Sequence, residues 1–492
     1  MENKKTKIIS IASIIALALT LVTATYAYFM AQTGEGKSTD IKINANTVDT
    51  FTFEAGSAIS LNLNQDNFAS GKGNQTGTTF AKAMLTANNK TNTATEHYYL
   101  YLNISENTFT YSIDNNTPEI LLSIKDGSNN EITTLTGLTY KTVTDGKGAS
   151  IKGFDITTKS GLITILNNRE ITTTSTKTEE WNVTVTFVNY NSNQAGNAGK
   201  NFTAKLMIQK EKIPTVLSDV CTSGNNLATC ITTLSNKSEP SIVNIYHHTS
   251  SLANGAGDNS YRYAGASDSV NNYICLGSDA TTCPDANLFR IIGVFGAQTK
   301  VIRAKSVGNK QWHTSRVNTW SSSSLNTYLN GEYLTSLGTL ADKIATTTWK
   351  VGGGTYANIS QLVPATAHQY EVGSSASSTT YDAKIGLMYV SDYYYSASPS
   401  AWTLVGNNLI DATKDYRAAK TTNWLYLGSN EWTISRDSDD TYPYRAFNVD
   451  STGAVDDYLV TSSSAVRPSF NLESLVKYVS GSGSMSDPVR VN

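Results

Sequence analysis

Apolar and polar residues alternate in several stretches of the first two fifths of the chain. In WNVTVTF (181–187), Trp181, Val183, Val185 and Phe187 share one face while Asn182, Thr184 and Thr186 share the other, the two-residue period of a half-buried strand. NFTAKLMIQ (201–209) repeats it, with Phe202, Ala204, Leu206 and Ile208 inward and Thr203, Lys205 and Gln209 outward. YLYLNI (99–104) adds a third strand with Leu100, Leu102 and Ile104 on the core side. Between the first two, NYNSNQAGNAGK (189–200) carries turn residues, which predicts a hairpin with a long tip. In DIKINANTVDTFTF (40–53), Ile41/Ile43 and then Val48 with Phe51/Phe53 predict strands separated by a turn. Residues 30–212 therefore read as an antiparallel β-sandwich domain.

The pattern changes at KEKIPTVLSDVCTSGNNLATCITTLSN (210–236). Pro214 ends the sheet, and Leu217, Val220, Leu227, Ile231 and Leu234 are spaced for one or two short helices interrupted by SGNN, so 213–240 reads as a helical linker. Beyond it, LFRIIGVF (288–295) is too apolar for a surface strand. It predicts a core strand with VIRAKSV (301–307) as its hairpin partner. WSSSSLNTYLNGEYLTSL (320–337) places Leu325, Tyr328, Leu329, Tyr333 and Leu337 near helical spacing behind a serine N-cap. KIGLMYVSDYYY, NWLYLG, EWTIS, YRAFNVD and AVRPSFNL read as short strands between polar loops, making 241–492 a loop-rich α+β domain. The whole chain is expected to be mainly β.

Composition narrows the function. A chain of 492 residues is too long for one ordinary core. Only 16% of residues are charged and the net charge is −2, so no basic field attracts a phosphate backbone and nucleic acid is excluded as a partner. At the N-terminus, basic MENKKTK precedes the uncharged IISIASIIALALTLV, a signal-peptide pattern over 1–29 with Ala27 and Tyr28 flanking the cleavage site. Left uncut, residues 8–30 are long enough to span a ~30 Å hydrocarbon layer, which is the one expected membrane contact. The expected location is extracellular or at the cell surface. AQTGEGKS (31–38) satisfies a relaxed phosphate-loop pattern, but it has no core strand before it and no helix behind it, so no nucleotide or other cofactor is expected.

The export segment running into TYAYFMAQ, with the closing WNVTVTFVNYNSNQAGNAGKNFTAKLMIQ, resembles the camelysin/TasA family of secreted matrix proteins of Gram-positive bacteria. The resemblance implies a jelly-roll-like sandwich, cleavage by a dedicated signal peptidase, and self-assembly into fibres through the N-terminal domain. No proteolytic residues are carried over, since the domain has neither HExxH nor cysteine. The second half resembles an uncharacterised domain of Gram-positive surface proteins through SYRYAG, CxxxxxxxC, NLFRIIGVF, WSSSSLNTYLN and AVRPSFNL. It is similar, more distantly, to C-type-lectin-like folds that include formylglycine-generating enzymes. Those enzymes need reactive cysteines late in the fold, and here none follows Cys283; the calcium-lectin triplets EPN, QPD and WND are missing too.

The four cysteines fall into two close pairs, Cys221 with Cys230 and Cys275 with Cys283. In an exported chain two local disulfides are expected, with cross-pairing, free thiols and zinc as alternatives; neither spacing fits a C-x(2–4)-C knuckle, and His247 and His248 point apart on any strand. His97, His313 and His368 are isolated, and there is no GxSxG elbow. Asp258 in GAGDNS and the acidic RDSDD (436–440) lack the ligand order of a calcium loop and read as solvated turns.

No catalytic or metal residue is therefore assigned. What remains is an aromatic complement of Trp312, Trp320, Trp402, Trp424 and Trp432, with Tyr393, Tyr394 and Tyr395 alternating faces on a strand so that at least one is exposed. Trp312, Trp402, Trp424, Trp432 and Tyr394 are the candidate ligand-binding rings, set against the ordinary role of core packing. Arg436 and Arg445 join them, with tying loops by hydrogen bonds as their other role, a role shared with Arg467. The expected protein is exported and non-enzymatic, with assembly or anchoring in the first domain and glycan or protein binding in the second. An enzyme on the formylglycine-generating fold and a purely structural fibre subunit are the alternatives. The closing DPVRVN contains no LPxTG-like sorting signal, so self-assembly or the N-terminal helix is expected to hold the protein at the cell.

Overall fold

The computed structural model describes residues 49–63, 72–88 and 92–492. The export segment with Ala27 and Tyr28, the AQTGEGKS stretch, and Ile41, Ile43 and Val48 lie outside the described residues. The chain divides into two compact units, the first ending at Lys212 and the second spanning Ile213–Asn492. Both are built mainly from strands.

In the first unit one sheet runs β1 (Thr50–Ala55), β3 (Gln75–Thr86), β9 (Thr176–Phe187), β5 (Ile120–Asp126), β7 (Ser150–Asp155), β6 (Tyr140–Thr144). The other runs β2 (Ile59–Asn62), β10 (Asn201–Gln209), β4 (Ala94–Asn107), β8 (Gly161–Thr173), and every pairing in both is antiparallel. Trp181, Val183, Val185 and Phe187 of β9 share one buried cluster with Leu100, Leu102 and Ile104 of β4 and Phe202, Ala204 and Leu206 of β10. The alternation thus identifies residues that face the core of the sandwich, although in β4 the opposite side, with Tyr101 and Asn103, is buried too. The predicted hairpin is corrected: β9 is paired with β3 along its length and with β5 over Trp181–Phe187, and β10 joins the opposite sheet between β2 and β4. The turn residues serve this crossover. Gln194 Nε2 and Asn197 Nδ2 donate to Glu119 Oε2 at 2.9 and 2.8 Å, while Glu119 Oε1 accepts from the Ser112 amide at 2.6 Å, which satisfies a fully buried carboxylate. Gln209, expected outward, is buried, and its Nε2 donates to Glu211 O. His97 stays at the surface, 3.6 Å from Glu170 on β8.

The second unit opens with the segment expected to be a linker. It is instead part of this unit's core: the helix Leu227–Lys237 turns Leu227, Ile231 and Leu234 inward against the cluster that contains Phe289, Val301 and Phe470. Asn226 caps that helix by accepting the Thr229 amide at 3.0 Å.

The main sheet holds β11 (Ile245–His247), β12 (Tyr261–Tyr263), β14 (Leu288–Phe295), β13 (Tyr273–Cys275), β25 (Val489–Val491) and β24 (Tyr478–Ser480). Added to it are β15 (Gln298–Arg303), which pairs with β14, and β23 (Ser469–Leu472), which pairs with β15. β14 is buried along all but its last residue and forms the predicted hairpin with β15. A second sheet runs β16 (Asn309–Gln311), β22 (Ser463–Ala465), β19 (Glu431–Arg436), β20 (Arg445–Val449), β21 (Val455–Leu459), and β17 (Thr347–Lys350) pairs with β18 (Thr380–Ala383).

The serine-capped helix is present: Ser323 Oγ accepts the Asn326 amide at 3.0 Å, and Leu325, Leu329 and Tyr333 are buried. EWTIS, YRAFNVD and AVRPSFNL contain strands, whereas NWLYLG is turns without a strand. KIGLMYVSDYYY ends in a short helix, Val390–Tyr395, not a strand. Its first-turn amides are taken by carboxylates, with Tyr389 N donating to Asp392 Oδ2 and Val390 N and Ser391 N to Glu371, each at 2.8 Å.

Candidate functional site

Both cysteine pairs are closed, Cys221 to Cys230 and Cys275 to Cys283. His247 and His248 diverge: His247 stacks on Tyr261 at 3.9 Å, while the buried His248 accepts the Ala256 amide on Nδ1 at 3.0 Å. Burial, and then the charge of Arg262, push the His248 pKa down to about 2.

The sequence-predicted rings form no binding face. Trp312, Trp402, Trp424, Trp432 and Tyr394 are each 2% exposed or less, and each spends its polar atom on a backbone carbonyl. The indole N–H groups of Trp312, Trp402, Trp424 and Trp432 donate to Thr433 O, Ala397 O, Tyr263 O and Lys310 O at 2.8–3.0 Å, and the Tyr394 hydroxyl donates to Ile359 O at 2.7 Å. A domain with so much loop needs large side chains that fill volume and also satisfy loop carbonyls, and tryptophan and tyrosine do both. Trp320, Tyr393 and Tyr395 are buried as well, so no ring of the triple tyrosine is exposed; a helix, not an alternating strand, carries it.

The arginines divide. Arg467 is buried and pairs with both oxygens of Glu431 at 2.6 and 2.7 Å. Arg436 ties loops, donating to Gly352 O and Asn318 Oδ1. Arg445 pairs with Asp457 at 2.9 and 3.1 Å at the edge of the second sheet. Asp258 is committed to Arg262 at 2.6 Å, beside a buried group in which Asp392 holds Lys300 at 2.5 Å and Arg262 at 3.4 Å. It remains an exposed turn residue, as expected, whose carboxylate also faces Arg262 and lies 3.4 Å from His368 Nε2. Of RDSDD, Asp437 is buried and accepts the Asp439 amide, and Asp439 in turn accepts the Thr441 amide.

These bonds fix the loop that joins β19 to β20, and that loop carries the aromatic surface the sequence reading missed. Asn318 Nδ2 donates to Asp437 O and Arg445 O, each at 2.7 Å, clamping both ends of the loop. On it Tyr442 and Tyr444 stand 6.4 Å apart and nearly perpendicular. The Arg445 guanidinium lies 5.0 Å from the Tyr442 ring and that of Arg316 lies 4.7 Å from the Tyr444 ring. Tyr442 is 37% exposed, and Leu459, which pairs with Arg445 across the sheet edge, is 38% exposed. The signal was in DSDDTYPYRAF: Pro443 between two tyrosines bars a central strand, and the acidic and hydroxyl residues Asp437–Thr441 before Tyr442 mark a turn.

No protein-family model matches the chain, and no curated protein does.

Charge under this surface is balanced locally. Burial, reinforced by the neighbouring Asp457, raises the Asp437 pKa to about 6, while Arg445 is held in its charged form by Asp457 although partial burial opposes it. The surface therefore offers two ring edges and two cations, with the Asp437 and Asp457 carboxylates buried beneath them. These groups suit binding through hydroxyls, carboxylates and apolar faces; among the described residues, none of them is paired as nucleophile and base. A separate groove of about 700 Å³ lies beside the Cys275–Cys283 loop, lined by Ser278, Asp279, Leu340, Lys343, Asp487 and Arg490.

Proposed function

We propose that this is an exported, non-enzymatic protein of the cell surface or extracellular matrix. Its sandwich unit serves assembly or anchoring, as the camelysin/TasA resemblance implies, and its second unit binds a glycan or protein ligand through the Tyr442–Tyr444 loop. The observation that carries the reading is the loop itself: two tyrosines backed by Arg316 and Arg445, on a backbone clamped by Asn318. Aromatic and arginine side chains dominate binding energy where they are held in place before contact, because little entropy is left to lose. The two disulfides fit an oxidising extracellular environment. Among the described residues no helix is long and apolar enough to cross a membrane.

The test is binding of the wild-type protein and the Tyr442→Ala/Tyr444→Ala variant to a glycan array and to immobilised extracellular matrix proteins. Loss of the two rings is expected to weaken wild-type binding by roughly ten- to a hundredfold. Equal binding by the two proteins, or no binding by the wild type to either panel, would contradict the reading.

A further inference from the structure

The Cys275–Cys283 bond has chemistry that recognition does not use. Cys275 ends β13 and is 2% exposed, whereas Cys283 sits partly exposed at the end of the loop. Strand β25 lies parallel to β13 with Arg490 in register with Cys275. The Arg490 Nη1 donates to Cys275 Sγ at 3.2 Å and to Ser278 O at 2.8 Å, while Nη2 donates to Ala280 O and Thr281 O at 2.8 and 3.2 Å. A single guanidinium thus holds the loop closed and places its positive charge against one of the two sulfurs. The groove opens along the same loop on the Cys275 side, with Cys275 and Arg490 in its lining and Cys283 outside it.

We infer that Cys275–Cys283 is a thiol-exchange site, attacked at Cys283 and releasing Cys275 as a thiolate paired with Arg490. An incoming thiolate, from a small thiol or a partner cysteine, forms a new S–S bond to Cys283 Sγ. The Cys275–Cys283 bond breaks and its electron pair leaves on Cys275, giving a mixed disulfide at Cys283 and an anion at Cys275 with no net oxidation or reduction. Two features set this direction. Cys275 is 2% exposed where Cys283 is partly exposed, so the incoming thiolate reaches Cys283 more readily, and exchange is faster when the departing sulfur is the better stabilised anion, which a contacting guanidinium provides. The other disulfide lacks this contact: no cation donates to Cys221 or Cys230 among the described residues. Cys230 does sit in the first helical turn, but its amide is already bonded to Asn226 O at 3.0 Å, and a helix end carries only about half a charge.

The experiment treats the full oxidised protein with limiting reduced glutathione, quenches with acid, alkylates free thiols with iodoacetamide and maps the peptides. The expected product carries glutathione on Cys283 and the alkyl group on Cys275, with Cys221–Cys230 intact. In Arg490→Gln the adduct is expected to form roughly tenfold more slowly, since a charge-assisted hydrogen bond to the leaving sulfur is lost. Glutathione on Cys275, prior opening of Cys221–Cys230, or an Arg490→Gln rate equal to or above wild type would each overturn the inference. Should the variant not fold, the position of the adduct in the wild-type protein decides alone.

Discussion

Asp392 is the residue on which the interior charges of the second unit converge. It is buried, it binds Lys300 and Arg262, both buried themselves, and it accepts the Tyr389 amide. Burial lowers the Lys300 pKa and Asp392 opposes that shift, so removing the carboxylate leaves the buried lysine without its ion-pair partner, while Arg262 keeps Asp258. Asp392→Ala is expected to lower stability by about 3–5 kcal/mol in urea denaturation; a loss under 1 kcal/mol would mean that the lysine simply discharges. Asp437 gives a pH signature. Its folded pKa of about 6 lies above the ordinary value of 3.8, so between those limits the folded chain binds more protons than the unfolded one. Its contribution to stability is therefore intact below pH ~4 and falls as pH rises to ~6. Asp437→Asn is expected to flatten that decline in denaturation curves taken across the window, and an unchanged slope would assign the decline to other groups. At this scale the sequence told residue types but not their neighbours. Nothing in a sequence shows which carbonyl an indole will meet, so core tryptophans look like binding rings, whereas the cysteine pairs are legible because spacing alone limits a short covalent loop.

At the scale of elements, period-2 alternation located β4, β9 and β10 and their buried faces, and the apolar run located β14. It did not give strand partners, because alternation records which side is buried and not which edge is free; hence β9 and β10 were paired although they lie in opposite sheets. The helix Val390–Tyr395 was read as a strand for a related reason. Its tyrosines favour strands, but Asp392 and the distant Glu371 supply the acceptors its first turn needs. By contrast the cap of the Ser324–Tyr328 helix is local and was legible. Ser323→Ala is expected to cost about 1 kcal/mol in thermal or urea unfolding, and Ser323→Asp to restore most of it; loss of stability in both would point to packing around the buried Ser323 instead.

For the whole molecule, each unit encloses its own apolar cluster, and both disulfides belong to the second unit. Only 16% of the residues are charged, and buried indoles, hydroxyls and a few ion pairs in the second unit bond to loop backbone and to one another, so a mostly uncharged chain still fixes long loops in place. Such a scaffold suits display of a rigid recognition loop in an oxidising exterior, and that setting is what the proposed role requires first. The most direct measurement is the intact mass of the protein recovered from the outer face or medium of producing cells without reductant, before and after reduction. The account predicts recovery outside the cytoplasm with no free thiol, and a gain on reduction of the four hydrogens that two disulfides require. Recovery in the cytoplasm with unpaired thiols and no mass gain would contradict it.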